Sequence, residues 1–427
     1  MTQVMSPMEL RTGAPAAGGG FVARAPDGRV VFVRHALPGE RVVAEVTAET
    51  TSFLRADAVE VLEASPDRVV PPCPHAGPGR CGGCDWQHVS LPAQRVLKAS
   101  LVTEQLCRLA GDDRPVVVEP VPGDEGGLAW RTRVRFAVDR HGRVGLHAHR
   151  SYRVELVEHC LIASPEVDRV GVGAHRWSGA SEVEVLAGGH GGRAVVSVRT
   201  GRRRLGDRPV LDAGRVVNGR TEREPHRLVY DVLGHRYEVS AGVFWQVHPG
   251  APEVLGRAVL EGLDARAGER VCDLYSGAGL FTVLVAAAVG AGGSVTAVER
   301  SGAACADASR NTARLPQVTV RRADVTPDLV ASGLGTPDLV VLDPAREGAG
   351  RAVMAALTSL RPAPRRIAYV SCDPASFARD LRVATDAGWT MPWLRAFDLF
   401  PMTEHVELVA MLDPPPGTPD GQAVRER

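Results

Sequence analysis

The segment Asp273-Leu274-Tyr275-Ser276-Gly277-Ala278-Gly279 constrains the fold more than any other part of the chain. It follows an apolar strand pattern, "ERVCDLY", and runs into the apolar stretch Leu280–Val289. Its glycines permit a tight turn and close approach of a ligand to backbone. From Pro249 the texture alternates. A helix pattern over 251–263 leads into that strand, the turn and a second helix. Then come the strand "SVTAVER", a helix over 302–314, the strands "QVTVRRA" and "PDLVVLD", a helix over 349–360, the strand "RRIAYVSC", a helix over 374–387 and a last strand, "ELVAMLD". Strands alternating with helices predict an α/β domain built on a doubly wound parallel sheet.

The turn also selects its ligand. A dinucleotide site wants G-x-G-x-x-G, but Thr282 stands at the third glycine position and Asp273 precedes the first. An acid-x-x-x-G-x-G turn suits S-adenosylmethionine, which carries an ammonium group and no pyrophosphate. Glu299, ending the next strand, can accept hydrogen bonds from ribose hydroxyls. The chain from Val239 on therefore reads as a methyltransferase domain.

Two further strand ends carry reactive groups, Asp343-Pro344 and Ser371-Cys372-Asp373-Pro374. Ligands of open α/β sheets sit outside the carboxyl ends of the strands, so Cys372 faces the same crevice. It precedes a helix, whose N-terminus is expected to favour a thiolate. A thiolate beside a methyl donor suits pyrimidine chemistry. Addition to C6 of uracil makes C5 enolate-like, and a base then removes the C5 proton. Glu404, His405 and Glu407 are candidates for that base. A target in structured RNA has to leave its stack.

The N-terminal part differs. Residues 20–63 hold short Val-, Phe- and Ala-rich runs separated by Asp27-Gly28 and Pro38-Gly39, which predict a small OB-like β-barrel. Residues 66–84 are rich in Pro, Gly and Cys, Leu91–Ala110 reads as a helix, and 115–240 as mostly β. Arg131, Arg133 and Arg135 alternate on one strand face, either solvated or facing RNA. Gly201-Arg202-Arg203-Arg204 is a second basic cluster, read as a turn. Net charge is zero, so RNA binding has to come from local patches. Eight cysteines, several clustered, favour a metal site over disulfides in a cytosolic chain. The start lacks a basic head followed by an apolar core, and no apolar run reaches the ~18 residues of a membrane helix. A cytoplasmic location and no membrane partner are expected.

These motifs resemble the RNA 5-methyluridine (uracil-C5) methyltransferase family, over nearly the whole chain. "GVFWQVHP" looks like its F-x-Q-V-N element, "DLYSGAGLF" its cofactor turn, "LDPAREG" its D-P-x-R-x-G element, "SCDPAS" its S-C-N-P-A-T motif and "DLFPMTEHVE" its D-x-F-P-x-T-x-H-x-E element. The resemblance implies a Rossmann-like S-adenosylmethionine-dependent domain preceded by a TRAM barrel and a mostly β central domain. It implies cofactor binding by Gln246, Tyr275, Glu299 and Asp343, nucleophilic attack by Cys372, and proton abstraction by Glu407 rather than Glu404. Asp324 is expected near the adenine ring. Cys73, Cys81, Cys84 and Cys160 resemble the family's [4Fe–4S] ligands, with C-x7-C in place of the usual C-x5-C; a zinc site is the chemical rival. His248, Leu280 and Asp373 each replace an Asn.

The expected organisation is a barrel over 1–65, a central domain over 66–240, a catalytic domain over 241–413 and a disordered tail over 414–427. The expected substrate is 23S rRNA, with tRNA as second choice, for a monomeric enzyme. Two other readings stand beside it. A DNA cytosine-C5 methyltransferase usually places proline before its nucleophile, where this chain has Ser371. A non-catalytic RNA-binding iron–sulfur protein would not need Cys372 and Glu407.

Overall fold

The computed structural model describes residues 6–189, 192–201, 204–206 and 208–417. Arg202 and Arg203 of the second basic cluster, and the tail from 418, lie outside the described residues. Among the described residues no helix is long and apolar enough to cross a membrane.

The N-terminal strands form a six-stranded sheet in the order Met8–Arg11, Arg41–Glu49, Phe53–Glu63, Val30–Arg34, Gly20–Arg24, Pro15–Ala16. The two edge strands are consecutive in the chain. Gly13 N donates to Val22 O at 2.7 Å and Val22 N to Ala14 O at 2.9 Å, so residues 8–16 run along both edges and close the sheet on itself. Closure leaves no unpaired edge. Register shifts between Arg41–Glu49 and Phe53–Glu63 bend the long hairpin around a core of Leu10, Phe21, Val31, Val33, Val42 and Leu54.

The central sheet has seven strands in the order Val154–Leu156, Val144–His147, Arg133–Val138, Ala180–Leu186, Val195–Thr200, Gly214–Val217, Arg220–Arg223. The alternating arginines are partly paired. Arg133 makes a two-pronged pair with Glu184 at 2.9 and 3.0 Å, Arg135 reaches Glu184 at 3.2 Å, and Arg131 Nε donates to Arg133 O. Glu184 on the adjacent strand offsets part of the charge of this face, while Arg135 stays exposed.

The C-terminal sheet has eight strands: Val318–Arg322, Ser294–Glu299, Arg270–Leu274, Leu339–Leu342, Arg366–Ser371, Glu407–Asp413, Thr390–Asp398, Val118–Pro120. The first five are parallel, and Glu407–Asp413 runs antiparallel to both neighbours. The order reverses between Arg270–Leu274 and Leu339–Leu342, which opens a crevice at their carboxyl ends. The helices Gly302–Asn311 and Arg351–Thr358 are shorter than their sequence patterns suggest.

Residues 102–120, expected in the central domain, pack on this C-terminal sheet instead, while Ala93, Leu97 and Leu101 earlier in the same helix join the barrel core. Val102, Leu106, Ala110 and Val118 share one apolar cluster with Leu274, Val298 and Leu342. Val118–Pro120 adds the last strand, pairing with Thr390–Asp398. The hairpin Arg227–Val232/His235–Ser240 likewise buries Val232, Tyr237 and Val239 against Val271 and Phe281. An amphipathic helix and a three-residue strand carry no sign of which sheet they cover, so sequence could not assign them.

Candidate active site

The crevice is lined from one strand end after another. After Arg270–Leu274 the chain turns through Tyr275 (φ +63°), Gly277 (φ +54°) and Gly279 (φ +89°) into the helix Leu280–Val289. Asp273 is fully buried; its Oδ2 accepts from Thr282 Oγ1 at 2.5 Å, while Oδ1 has no protein partner. Burial pushes this carboxyl up to about 7, and nearby Glu299 adds to the effect. Thr282, which breaks the dinucleotide pattern, thus holds Asp273 to the helix. Glu299 accepts from Gly277 N at 3.1 Å and Ser301 N at 2.7 Å, tying two strand ends together across the crevice. Burial raises Tyr275 to about 12, keeping it a neutral donor. Asp324 is exposed, beside Ala323, whose N–H bonds Glu299 O at 3.0 Å.

Gln246 is buried on a segment that the central sheet supports. Thr132 N and Oγ1 both donate to Val247 O, and Arg133 Nη1 donates to Val243 O at 2.9 Å. Phe244, two residues earlier, is 64% exposed, an open aromatic face to which its sequence context assigns no role.

On the other side of the crevice, Asp343, Arg346, Cys372 and Glu407 act on one another. Burial raises the Cys372 thiol to about 12, with Glu407 and Asp343 adding to the shift and Arg346 opposing it. Burial drives Glu407 well above the ordinary carboxylate range, with Asp343 adding and Arg346 opposing. Asp343 rises to about 7 through burial and then Asp273. The expected helix-stabilised thiolate is therefore not the resting state. Burial beside two acids outweighs the helix N-terminus, and Cys372 rests as a thiol.

Arg346 is the cation of this group, and sequence reasoning missed it although it lies in the motif "LDPAREG". Its loop is pinned by Asp380 Oδ2, which accepts from Ala349 N, Gly350 N and Tyr369 Oη at 2.8, 3.1 and 2.6 Å. A Cβ at Gly348 would meet that oxygen at 2.6 Å, so only glycine fits. Arg346 Nη2 donates to His405 Nε2 at 3.2 Å, and burial lowers His405 to about 4, leaving it a neutral acceptor.

The departures from the family motifs have local explanations. Asp373 caps the helix Pro374–Asp386, accepting from Ser376 N at 2.7 Å. Leu280 lies in the apolar core, and its carbonyl takes the Tyr237 hydroxyl at 3.1 Å. His248 is buried against Trp130 at 5.9 Å, and its Nε2 has no partner. Glu404 does not join Cys372: its Oε2 accepts from Gly18 N and Gly19 N at 2.6 and 2.7 Å.

Residues 14–59 match the TRAM domain. A Streptomyces avermitilis protein named an uncharacterized RNA methyltransferase is 45% identical, over 95% of this chain and 98% of that protein. A 23S rRNA uracil-C5 methyltransferase from Shewanella amazonensis is 32% identical, over 90% of this chain and 91% of its own length. The chain belongs to the RNA uracil-C5 methyltransferase family. Its fold matches that of a Pyrococcus abyssi tRNA (uracil-54, C5)-methyltransferase, solved with S-adenosyl-L-homocysteine, with a TM-score of 0.71 at 21% identity, over 95% of this chain and all of that one. The enzyme is thus a TRAM barrel and a central β-sheet joined to a Rossmann-like methyltransferase domain, with S-adenosylmethionine as its cofactor and RNA as its substrate. The crevice fits that cofactor: Asp273 Oδ1 and Ser276 Oγ are buried polar atoms left unpartnered by protein.

The four expected metal cysteines line one cavity of about 260 Å³, together with His75, Gln87, Arg131 and Arg135. Among the described residues, no three Cys, His, Asp or Glu side chains are grouped to hold a single metal ion. Burial raises the thiols of Cys81 and Cys84 to about 11 and about 12, and each feels the other cysteines.

Proposed function

We propose that this enzyme methylates C5 of a uridine in 23S rRNA through a covalent adduct on Cys372. The observation that carries this reading is the convergence of Cys372, Glu407, Asp343 and Arg346 at the carboxyl edge of the sheet. S-adenosylmethionine supplies an electrophilic methyl group on a cationic sulfur. Gln246, Tyr275, Glu299 and Asp343 hold it.

The chemistry of the chain's own groups follows. Cys372 gives its proton to solvent water and its sulfur bonds to C6, which places the C5–C6 π electron pair at C5. C5 takes the methyl group, and the electron pair of the broken methyl–sulfur bond stays on the donor sulfur, leaving it neutral. Glu407, as carboxylate, removes the C5 proton; the C5 electrons re-form the double bond and expel the Cys372 thiolate. Arg346 opposes the two acids and favours the thiolate. Phe244 offers a face for a base out of its stack.

Ribosomal RNA is favoured over tRNA because the rRNA-acting relative is 32% identical across nearly full length, whereas the tRNA-acting one shares only the fold. The deciding experiment is tritium transfer from methyl-labelled cofactor to unmodified 23S rRNA, with mapping of 5-methyluridine. Absence of label in the RNA overturns the reading.

Cys73, Cys81, Cys84 and Cys160 are proposed to hold a [4Fe–4S] cluster. A zinc ion needs four thiolates about 2.3 Å from one point. Cysteines set around a cavity instead suit a cluster, which presents a separate iron to each thiolate. Its role is structural, because methyl transfer involves no electron transfer.

A further inference from the structure

We infer that Glu404 is a positioning residue that locks the barrel to the loop carrying the catalytic base. The inference rests on the proposed function above. Gly18 and Gly19 both have positive φ, +94° and +74°, and their successive N–H groups converge on Glu404 Oε2 at 2.6 and 2.7 Å. Consecutive amides in this conformation form an anion-binding nest, and here the anion comes from another domain, 385 residues along the chain from Gly19. Side chains are excluded at Gly19: a Cβ there would meet Asp85 Cβ at 2.6 Å.

The contact is one end of a continuous clamp. Trp86 Nε1 donates to Gly19 O at 3.1 Å, and Trp86 N donates to Met402 O at 3.0 Å. Gln94 Oε1 accepts from Met402 N at 2.8 Å, and Lys98 Nζ donates to Phe400 O at 2.9 Å. The loop from Asp398 to Thr403 is thus held on the helix Leu91–Gln105, and Glu404 fastens its end to the barrel. The next residue, His405, accepts from Arg346, and Glu407 follows two residues later. A shift of the barrel relative to the sheet is transmitted within three residues to the base.

The charge is not what the nest needs. Both N–H groups use one oxygen, and the neighbouring Asp85 carboxylate pushes Glu404 upward along with burial. An amide in place of the carboxylate keeps the accepting oxygen and removes the repulsion. Glu404→Gln should therefore retain turnover, while Glu404→Ala should lose it.

The test measures kcat and KM on in vitro transcribed 23S rRNA for wild type, Glu404→Ala and Glu404→Gln, with the denaturing-gel yield of protein–RNA adduct. Cofactor binding by calorimetry reports whether the catalytic domain of each variant is folded. Misplacing the base predicts that Glu404→Ala lowers kcat on the order of 10- to 100-fold, accumulates adduct, binds cofactor as wild type does, and is rescued by Gln. A rise in KM alone, with kcat and adduct unchanged, overturns the inference in favour of a barrel contact to RNA. A drop in melting temperature with normal kinetics overturns it in favour of plain stability. Loss of cofactor binding in Glu404→Ala also overturns it, as does failure of Gln to rescue. If wild type itself transfers no methyl group, the functional reading fails rather than the inference.

Discussion

Lys98, the only lysine in the chain, places its ammonium 2.5 Å from the Asp398 carboxylate, and both side chains are buried, at 0% and 2% exposure. The pair joins a helix from the N-terminal half to the loop that leads to Glu407. Burial lowers the Lys98 pKa, and Asp398 opposes that shift.

Removing one partner of a buried pair strands the other charge. Lys98→Met should destabilise the protein by about 3 kcal/mol, the low end for such a change, because Arg95 lies 4.0 Å from the second Asp398 oxygen. Lys98→Met/Asp398→Asn should recover most of the loss. Urea unfolding midpoints check both, and equal midpoints for the single and double variants would count against the pair.

Cys372→Ala should abolish methyl transfer while leaving cofactor binding intact. Glu407→Gln should permit attack and methylation but block proton removal, so a covalent protein–RNA species should accumulate on denaturing gels. Normal turnover by Glu407→Gln would exclude it as the base and leave Glu404, whose Oε2 is held by Gly18 and Gly19, or a water as the candidate.

The pH dependence follows from burial. Cys372 at about 12 and Glu407, well above the carboxylate range, both react in their deprotonated forms. Cys372 is mainly protonated in the free enzyme at neutral pH, so kcat/KM should climb as pH rises from about 6.5 to about 9. A profile that is flat or falls over that interval would contradict the assignment.

Anaerobic purification should give a brown protein with broad visible absorption, as iron–thiolate chemistry requires. Cys81→Ser or Cys160→Ser should bleach it. A colourless protein carrying one zinc would overturn the cluster.

The sequence by itself determined the cofactor turn, the reactive strand ends and the barrel. Each is a local signal: Asp273 with two glycines, Cys372 just before a helix, short β-rich runs broken by Gly and Pro. Doubly wound topology forces strand-end residues into one crevice, so the order of strands and helices along the chain suffices to bring them together. Tertiary packing decided the rest. It made Cys372 a thiol, because burial beside Glu407 and Asp343 is a property of the folded site and not of the helix that follows. It paired Arg133 and Arg135 with Glu184 on the adjacent strand, a partnership that the alternation of arginines does not show. It drew residues 102–120 onto the catalytic sheet, and it separated Glu404 from Glu407 although only two residues divide them. Hydrogen-bond partners hundreds of residues apart leave no periodicity in the chain; the motif resemblance chose Glu407 over Glu404, and only the folded arrangement shows that Glu404 is held by Gly18 and Gly19.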